Sequence, residues 1–466
     1  MGAFNELGGF SFETSGGLKE MVVSRAGVSN AQLYISTGGA FSAIGSANLD
    51  NSAQINFVQA SDRLFGFNGV EVVDVASDGT TVTRNRAGVP KGAFGFWFHN
   101  FLFVGGVTAT PNRLFWSNLG DPTTFDAANY VDINANDGDS ITALNILNDE
   151  LIVFKHSSVW SISGWSGSTF SATTIAGQNT QNKASGNGTP SHQSVISLGR
   201  DLYYLSFSGG IPHFRSFTQT SFAKTIEGGI VSLDIETTMT GLNKSQLSKC
   251  TGIYDGRYIY WALCNGASTT NNLVVVTDPD KTFNTTLGKM NSWVTWTGIA
   301  PQQFFSSTLS GVAKIYFTDG STGGLVFLID SSLHTDNGTN VVMTILTRDF
   351  MLHPARQAKW VYAYQKYLSG SSGTLLIYAR VDQSTDFSLQ KTLNLQGTSP
   401  GLGPTGSFTL GTSTLGGAMI SQTRITFQGM VGQMVGLKYT ESTSGACTLY
   451  DMDILGFLKG YRATRT

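Results

Sequence analysis

The residues able to do chemistry are scattered through this 466-residue chain, and few groupings have a spacing that calls for a test. GLGPTG, from Gly401 to Gly406, fits the G-x-G-x-x-G pattern on paper. A dinucleotide site needs a strand before that pattern and a helix after it, whose N-terminus meets the pyrophosphate. Here Pro404 interrupts the glycines and strand-like Ser-Phe-Thr-Leu follows, so a turn is expected. DINANDGDSI, from Asp132 to Ile141, offers Asp132, Asn134, Asn136 and Asp139 in the manner of a calcium loop. Its glycine falls one position late for an EF-hand, and no Glu stands at the twelfth position. A tight turn between strands is the better reading. His99, His156, His192, His213, His334 and His353 form no HExxH and no i,i+4 pair, so no metal site is expected. Ser, His and Asp are all present, but no G-x-S-x-G elbow marks a nucleophile. No catalytic, cofactor-binding or metal-ligating residue is assigned, and a non-enzymatic role is expected.

The elements around these residues are short. Between Asn112 and Gly164 the apolar residues come in bursts: Leu114 to Trp116, then Ile141, Leu144 and Ile146, then Leu151 to Phe154, then Val159, Trp160 and Ile162. Each burst is closed by Gly, Asp, Asn or Pro. Four to six residues is strand length and too short for a helix. Trp97, Trp116, Trp160 and Trp261 could stack sugars or bases. They lie inside such bursts, however, and are read as core filling sheet interfaces.

The same stretch carries a family likeness. RLFWSNLGDPTTF, NDGDSITAL and DELIVFKHSSVWSISG resemble the β-propeller of the tail nozzle proteins of short-tailed phages, also called tail tubular protein B or the tail hub. The matching features are a Gly-Asp-Pro loop with a following aromatic (Gly120, Asp121, Pro122, Phe125), an acidic glycine turn (Asp137, Gly138, Asp139) and a strand ending at Trp160 and Gly164. The likeness covers about fifty residues strongly. It implies a virion protein of the phage tail, assembled in the host cytoplasm as a homohexameric ring. The ring would lie below the portal and its head-to-tail adaptor, with tail fibres or spikes at its side and double-stranded DNA passing through its lumen.

Composition agrees with an uncharged, turn-rich β-protein. Only 13% of residues are charged, against about 25% in ordinary soluble domains, and 55 of 466 are Gly. No apolar run approaches the roughly 20 residues of a membrane helix. The net charge of −2 lacks the positive balance of a protein that grips DNA through its phosphates. The balance is uneven: from Val341 onward there are 11 Lys/Arg against 6 Asp/Glu, and before it 18 against 25. Cys250, Cys264 and Cys447 form no CxxC pair, and disulfides are not expected. The first ten residues lack the basic start and apolar core of a signal peptide, and Glu6 stands where a myristoylation motif expects Ser or Thr.

Residues 1–18 are Gly-rich and weakly patterned and read as an N-terminal arm. EMVVSRAGVSNAQLYIS then opens a series of hairpins whose first strands start near Asp62, Asn100, Asp149, Asp201, Gly256 and Ala313, in steps of 38, 49, 52, 55 and 57 residues. Two further short strands fit in each interval. That is near the 40 to 50 residues of a four-stranded propeller blade. A β-propeller of six or seven blades is expected over 19–337. Ala176 to Pro190 is almost devoid of apolar residues and reads as a protruding loop, and LNKSQLSKC as a short helix in a polar insertion. From 338 to 466 the strands lengthen, with Trp360, Tyr362 and Tyr364 on one face and Leu375, Ile377 and Ala379 on another, as in an antiparallel β-sandwich.

The expected function is structural, with Gly120, Asp121, Pro122 and Phe125 and the 176–190 loop as candidate subunit contacts, because exposed loops on rigid scaffolds carry recognition. The alternative is a carbohydrate-binding or glycan-degrading propeller of a tail spike. Against it, no S-x-D-x-G-x-x-W turn of the sialidase kind recurs. Two carboxylates facing across a sugar are not legible from sequence.

Overall fold

In a computed structural model, residues 6–14, 17–26, 30–135, 137–162, 180–185, 187–199, 201–207, 210–219, 226–279, 293–308, 312–320, 326–329, 335–336, 339–340, 342–369, 373–395, 421–443 and 447–458 are described. The chain divides into two compact units, Met1–Ile329 and Asp330–Thr466. The division falls a few residues before the boundary expected after residue 337.

The first unit holds seven antiparallel sheets, six of four strands and a last one of three among the described residues. Every sheet takes consecutive strands, so a blade's first strand lies at one edge and its last at the other. The first strands are Glu6–Thr14, Asn56–Ala60, Phe94–Phe98, Ile141–Leu147, Ile196–Leu198, Thr251–Tyr254 and Pro301–Ser307. Each packs against the next, and the seventh packs against the first. The sheets therefore close into a seven-bladed β-propeller with these strands innermost.

The hairpins legible in the sequence are the second and third strands of the blades. Ile259–Leu263 and Leu273–Thr277 are buried at every position, because each blade is covered on both faces by its neighbours. Trp116 and Trp261 are fully buried, while Trp97 and Trp160 are half-buried against their blades. The interblade layers are continuous apolar clusters, such as Phe214, Trp261 and Val275 with their neighbours between blades 5 and 6.

The N-terminal segment is a correction. Glu6–Thr14 is not an arm but the innermost strand of blade 1. Its glycines, which weaken the strand signal, are what the crowded position requires. A Cβ on Gly8 would lie 2.5 Å from Gln303 Oε1 and 2.6 Å from the Ile55 carbonyl oxygen. One on Gly9 would lie 2.6 Å from the Phe305 ring. The ring is closed here without a shared sheet: the Gly9 N–H donates to Gln303 Oε1 at 3.1 Å, and the Ile55 N–H donates to the Leu7 carbonyl at 3.1 Å.

The 176–190 stretch is also more structured than a protruding loop. Thr180–Ser185 is the outer strand of blade 4, paired with Ser158–Ile162. The LNKSQLSKC segment does turn, as a 3₁₀ helix over Lys244–Lys249.

The second unit is a two-sheet sandwich. Met434–Glu441 pairs with Met343–Leu346, Phe350–Met351 and Gly373–Val381, which in turn pairs with Ser388–Leu395. Ala358–Ser369 pairs with Ser421–Thr426, Val431–Gly432 and Cys447–Leu458. Leu375, Ile377 and Ala379 face the core as expected. Trp360 does not share a face with Tyr362 and Tyr364. An irregularity in the register between Trp360 and Tyr362 turns the strand over, so Trp360 is buried while the tyrosines stay half-exposed. GLGPTG lies outside the described residues.

The seam between blades 7 and 1 yields a test. Gly8→Leu should destabilise the propeller by about 1–3 kcal/mol through overpacking, read as a lowered urea midpoint. Gly39→Ala, where a Cβ meets nothing within 4 Å, should stay within about 0.5 kcal/mol of the parent. Equal effects would contradict the closed seam.

Candidate functional site at the two ends of the propeller axis

Because strands alternate in direction, the ends of the propeller differ. The blade-to-blade connections and the turns between second and third strands lie on one face. On the other lie the turns between first and second strands and the loops between third and outer strands.

On the connection face the axis is filled by the chain itself. The segment before blade 5 dips inward as a 3₁₀ turn over His192–Ser194. A Cβ on Gly188 would collide with the Lys155 carbonyl oxygen at 2.0 Å, so only glycine lets the chain pass blade 4. The Thr189 N–H then donates to that same carbonyl at 3.0 Å. Ser191 Oγ donates to the Cys250 carbonyl at 2.6 Å, and Trp261 Nε1 donates to the Ser194 carbonyl at 3.0 Å, both tying the turn to blade 6. His192 stacks on Phe94 of blade 3 with centroids 4.7 Å apart, and its Nδ1 accepts the Leu144 N–H of blade 4 at 3.3 Å. Gln193 Nε2 donates to Asn56 Oδ1 of blade 2 at 2.7 Å. Blades 2 and 5 stand three places apart in a ring of seven, so this last bond crosses the axis. Burial pushes the His192 imidazole down to about 4, which keeps it neutral near pH 7.

On the opposite face the inner turns are tight. His99–Asn100 and Asn148–Asp149 each place two successive residues at positive φ, as two-residue hairpin turns demand. His99 Nε2 meets Asp149 Oδ1 at 2.8 Å, linking the turns of blades 3 and 4. Asp62, Asp78, Asp121, Asp126, Asp149 and Asp255 are exposed on this face. The nearby cations are fewer. Arg63 is engaged by the buried Asp74 at 2.7 Å, and Arg257 reaches Asp278 at 3.7 Å. Lys314, at the start of the second strand of blade 7, is also exposed here, so among the described residues of this face six exposed aspartates stand against these three cations.

The Gly-Asp-Pro loop of blade 3 lies there too. The Gly120 N–H donates to the Asn100 carbonyl at 2.8 Å, and Gly120 has φ +72°. Asp121 accepts from Thr123 Oγ1 at 2.6 Å and from its N–H at 2.9 Å, which holds the carboxyl below the usual carboxylate range. Pro122 is buried and Phe125 packs half-buried on the blade 2–3 layer. Of the four candidate contact residues, Gly120 and Asp121 present surface while Pro122 and Phe125 anchor the loop.

The calcium-like stretch holds a cation of its own. Lys155, wholly buried, places Nζ 2.6 Å from Asp137 Oδ1 and 3.1 Å from the Ile133 carbonyl oxygen. Asp139 accepts the N–H groups of His156 at 2.9 Å and Ser157 at 2.8 Å. The oxygens that look like ion ligands in sequence thus bind an ammonium and a turn. Spacing alone did not reveal Lys155 as the partner, because its place opposite the turn depends on the pairing of Ile141–Leu147 with Glu150–Lys155. Among the described residues no group of three or more His, Cys, Asp or Glu is arranged to hold a metal ion. Cys250, Cys264 and Cys447 are free thiols, and burial pushes the Cys264 thiol up to about 11.

No family model matches the chain, and no curated protein matches it in sequence. Among solved structures, BamB from Moraxella catarrhalis aligns over 68% of this chain and 81% of its own, at 12% identity and a TM-score of 0.39. The extracellular domain of a one-component system from B. thetaiotaomicron aligns over 83% of this chain and 46% of its own, at 9% identity and a TM-score of 0.44.

Two measurements check this geometry. Asp137→Asn, which leaves the Lys155 ammonium buried without its carboxylate, should cost about 3–5 kcal/mol in urea unfolding near pH 7, and Lys155→Met less. His192 has a folded value below its ordinary 6.5, so its contribution is whole above that value and is lost as pH falls toward about 4. His192→Asn should flatten the stability profile over that window, and an unchanged slope would contradict an enclosed neutral ring.

Proposed function

We propose that this chain is a structural subunit of the tail nozzle, or tail hub, of a short-tailed phage. The observation that carries the reading is the filled axis. A disc whose centre is crossed by the Gln193–Asn56 bond offers no bore of its own, so it serves as a wall piece, and a channel must lie between copies. The stretch that resembles the nozzle family supports this. Residues 112–164 run from the third strand of blade 3, Arg113–Trp116, through the third strand of blade 4, Ser158–Ile162. That stretch includes the Gly-Asp-Pro loop on the face of the inner hairpin turns.

On this reading the chain assembles as a homohexamer below the head-to-tail adaptor, contacts tail fibres or spikes, and encloses double-stranded DNA that it does not grip. Dense Lys and Arg would hold DNA by counterion release, whereas weak or negative charge lets it slide. The low charge content and the slightly negative balance fit sliding.

Imaging of phage tails that contain this chain tests the proposal. Six copies around the DNA exit axis, next to the adaptor, are expected; copies confined to a peripheral spike would sink it and favour the glycan reading. The assembled ring should also bind duplex DNA weakly. It should lose far less than the roughly 10³-fold in affinity between 50 and 200 mM salt expected of proteins making six or more phosphate contacts.

A further inference from the structure

The second unit exposes apolar surface in two places that face different ways. Between its sheets a cavity of about 420 Å³ is walled by Phe350, Met351, Leu352, Trp360, Met452 and Ile454, with Arg348 and Asp349 also in its lining. Met351 and Leu352 remain 48% and 44% exposed. Arg348 is exposed, and its one contact among the described residues is the Phe350 ring, 5.8 Å from its guanidinium carbon. The neighbouring Asp349 is already engaged by Arg380 at 3.3 Å.

The other place is the outer row of the edge strand Cys447–Leu458. This strand pairs on one side only, with Ala358–Ser369, among the described residues. Side chains alternate along it. Met452 and Ile454 turn inward and line the cavity, while Asp451, Asp453, Leu455 and Phe457 are exposed, Phe457 at 61%. Tyr362 stands opposite Leu455 and Tyr364 opposite Asp453, so the row continues as an aromatic face. Neither Asp451 nor Asp453 has an ion pair among the described residues.

We propose that the outer row of one copy seats in the inter-sheet cavity of a second copy, with Leu455 or Phe457 in the apolar slot and Asp453 meeting Arg348. The row and the slot point to opposite sides of one sheet, so no copy can fill its own slot. Two residues along a strand span about 7 Å, so Leu455 in the slot brings Asp453 to the lone guanidinium. Among the described residues Asp453 on the row and Arg348 at the slot have no ion pair, whereas Asp349 in the lining is held by Arg380, so Asp453 meeting Arg348 would pair both free charges. A contact between two different surfaces is head-to-tail, and it generates a ring where the rotation closes. The identity of the partner rests on the ring-assembly reading above.

Sedimentation velocity and cross-linking of the full chain, from about 1 to several hundred µM, test this. The parent should associate as concentration rises. Leu455→Asp and Arg348→Glu, both at exposed positions, should each weaken association at least tenfold with unchanged melting temperature. Arg348→Asp combined with Asp453→Arg should recover most of it. A mixture of Leu455→Asp, which keeps its slot, with Arg348→Glu, which keeps its row, should form dimers that grow no further. Should a single variant fail to fold, Phe457→Asp and Met351→Glu replace it. A parent that stays monomeric throughout overturns the proposal. Variants that associate like the parent also overturn it while leaving ring assembly to another surface. An interface confirmed in this way on a chain absent from the tail axis would overturn the nozzle reading alone.

Discussion

Seven strands must stand side by side around one axis, and the closeness this forces governs the first unit. At particular points of the innermost strands there is room for backbone only: Gly8, Gly9, Gly95 and Gly252 each occupy a spot where a Cβ would come within 2.5–2.6 Å of a neighbouring side chain. Further out the blades splay, and the space between them is filled by Phe, Trp, Val and Leu from the second and third strands. A ring also leaves no terminal blade with an uncovered face, which a linear stack of such sheets would have.

That radial gradient explains what could be read from sequence. The second and third strands are buried on both faces, so Leu102–Val104, Leu151–Phe154 and Leu202–Leu205 stand out as apolar bursts. The outer strands Val82–Arg84 and Trp293–Thr297 are only partly buried and carry mixed residues, and some inner ones, such as Glu6–Thr14, are interrupted by glycine. Both are therefore faint, and Glu6–Thr14 passes for a tail although it seals the ring. The seven hairpins fix the repeat, but each marks the middle of a blade. Closure depends on contacts such as Gly9 with Gln303, 294 residues apart, to which no local pattern points.

The axial turn was still less legible. NGTPSHQSV is polar and glycine-containing, the composition of a loop, and by that measure it belongs outside. It lies inside because the axis of a propeller is lined by backbone ends and short polar side chains, which an apolar plug would leave unsatisfied. Ser191, Ser194, His192 and Gln193 supply hydrogen bonds to blades 2, 4, 5 and 6 in the space of four residues. A segment with so many donors and acceptors is suited to a site where every strand end presents one. In the same way, Asp137 and the carbonyls around it look like a cation loop until the register places Lys155 among them.

A filled axis changes where charge matters. In a propeller with an open bore, the residues lining that bore would set what passes through it. In this one, exposed carboxylates stand on both faces: Asp62, Asp78, Asp121, Asp126, Asp149 and Asp255 on the hairpin face, and Asp132, Asp137, Asp234 and Glu236 on the connection face. The cationic excess belongs to residues from Val341 onward, and its exposed members include Arg348, which has no ion pair among the described residues. In the proposed nozzle, that excess would serve contacts between copies, since opposite charge gives register while like charge keeps a polyanion mobile. Low overall charge would suit the same proposal: a surface covered by neighbouring copies gains little from solvated Lys and Glu, and dense cations along a channel would stall a polyanion moving through it.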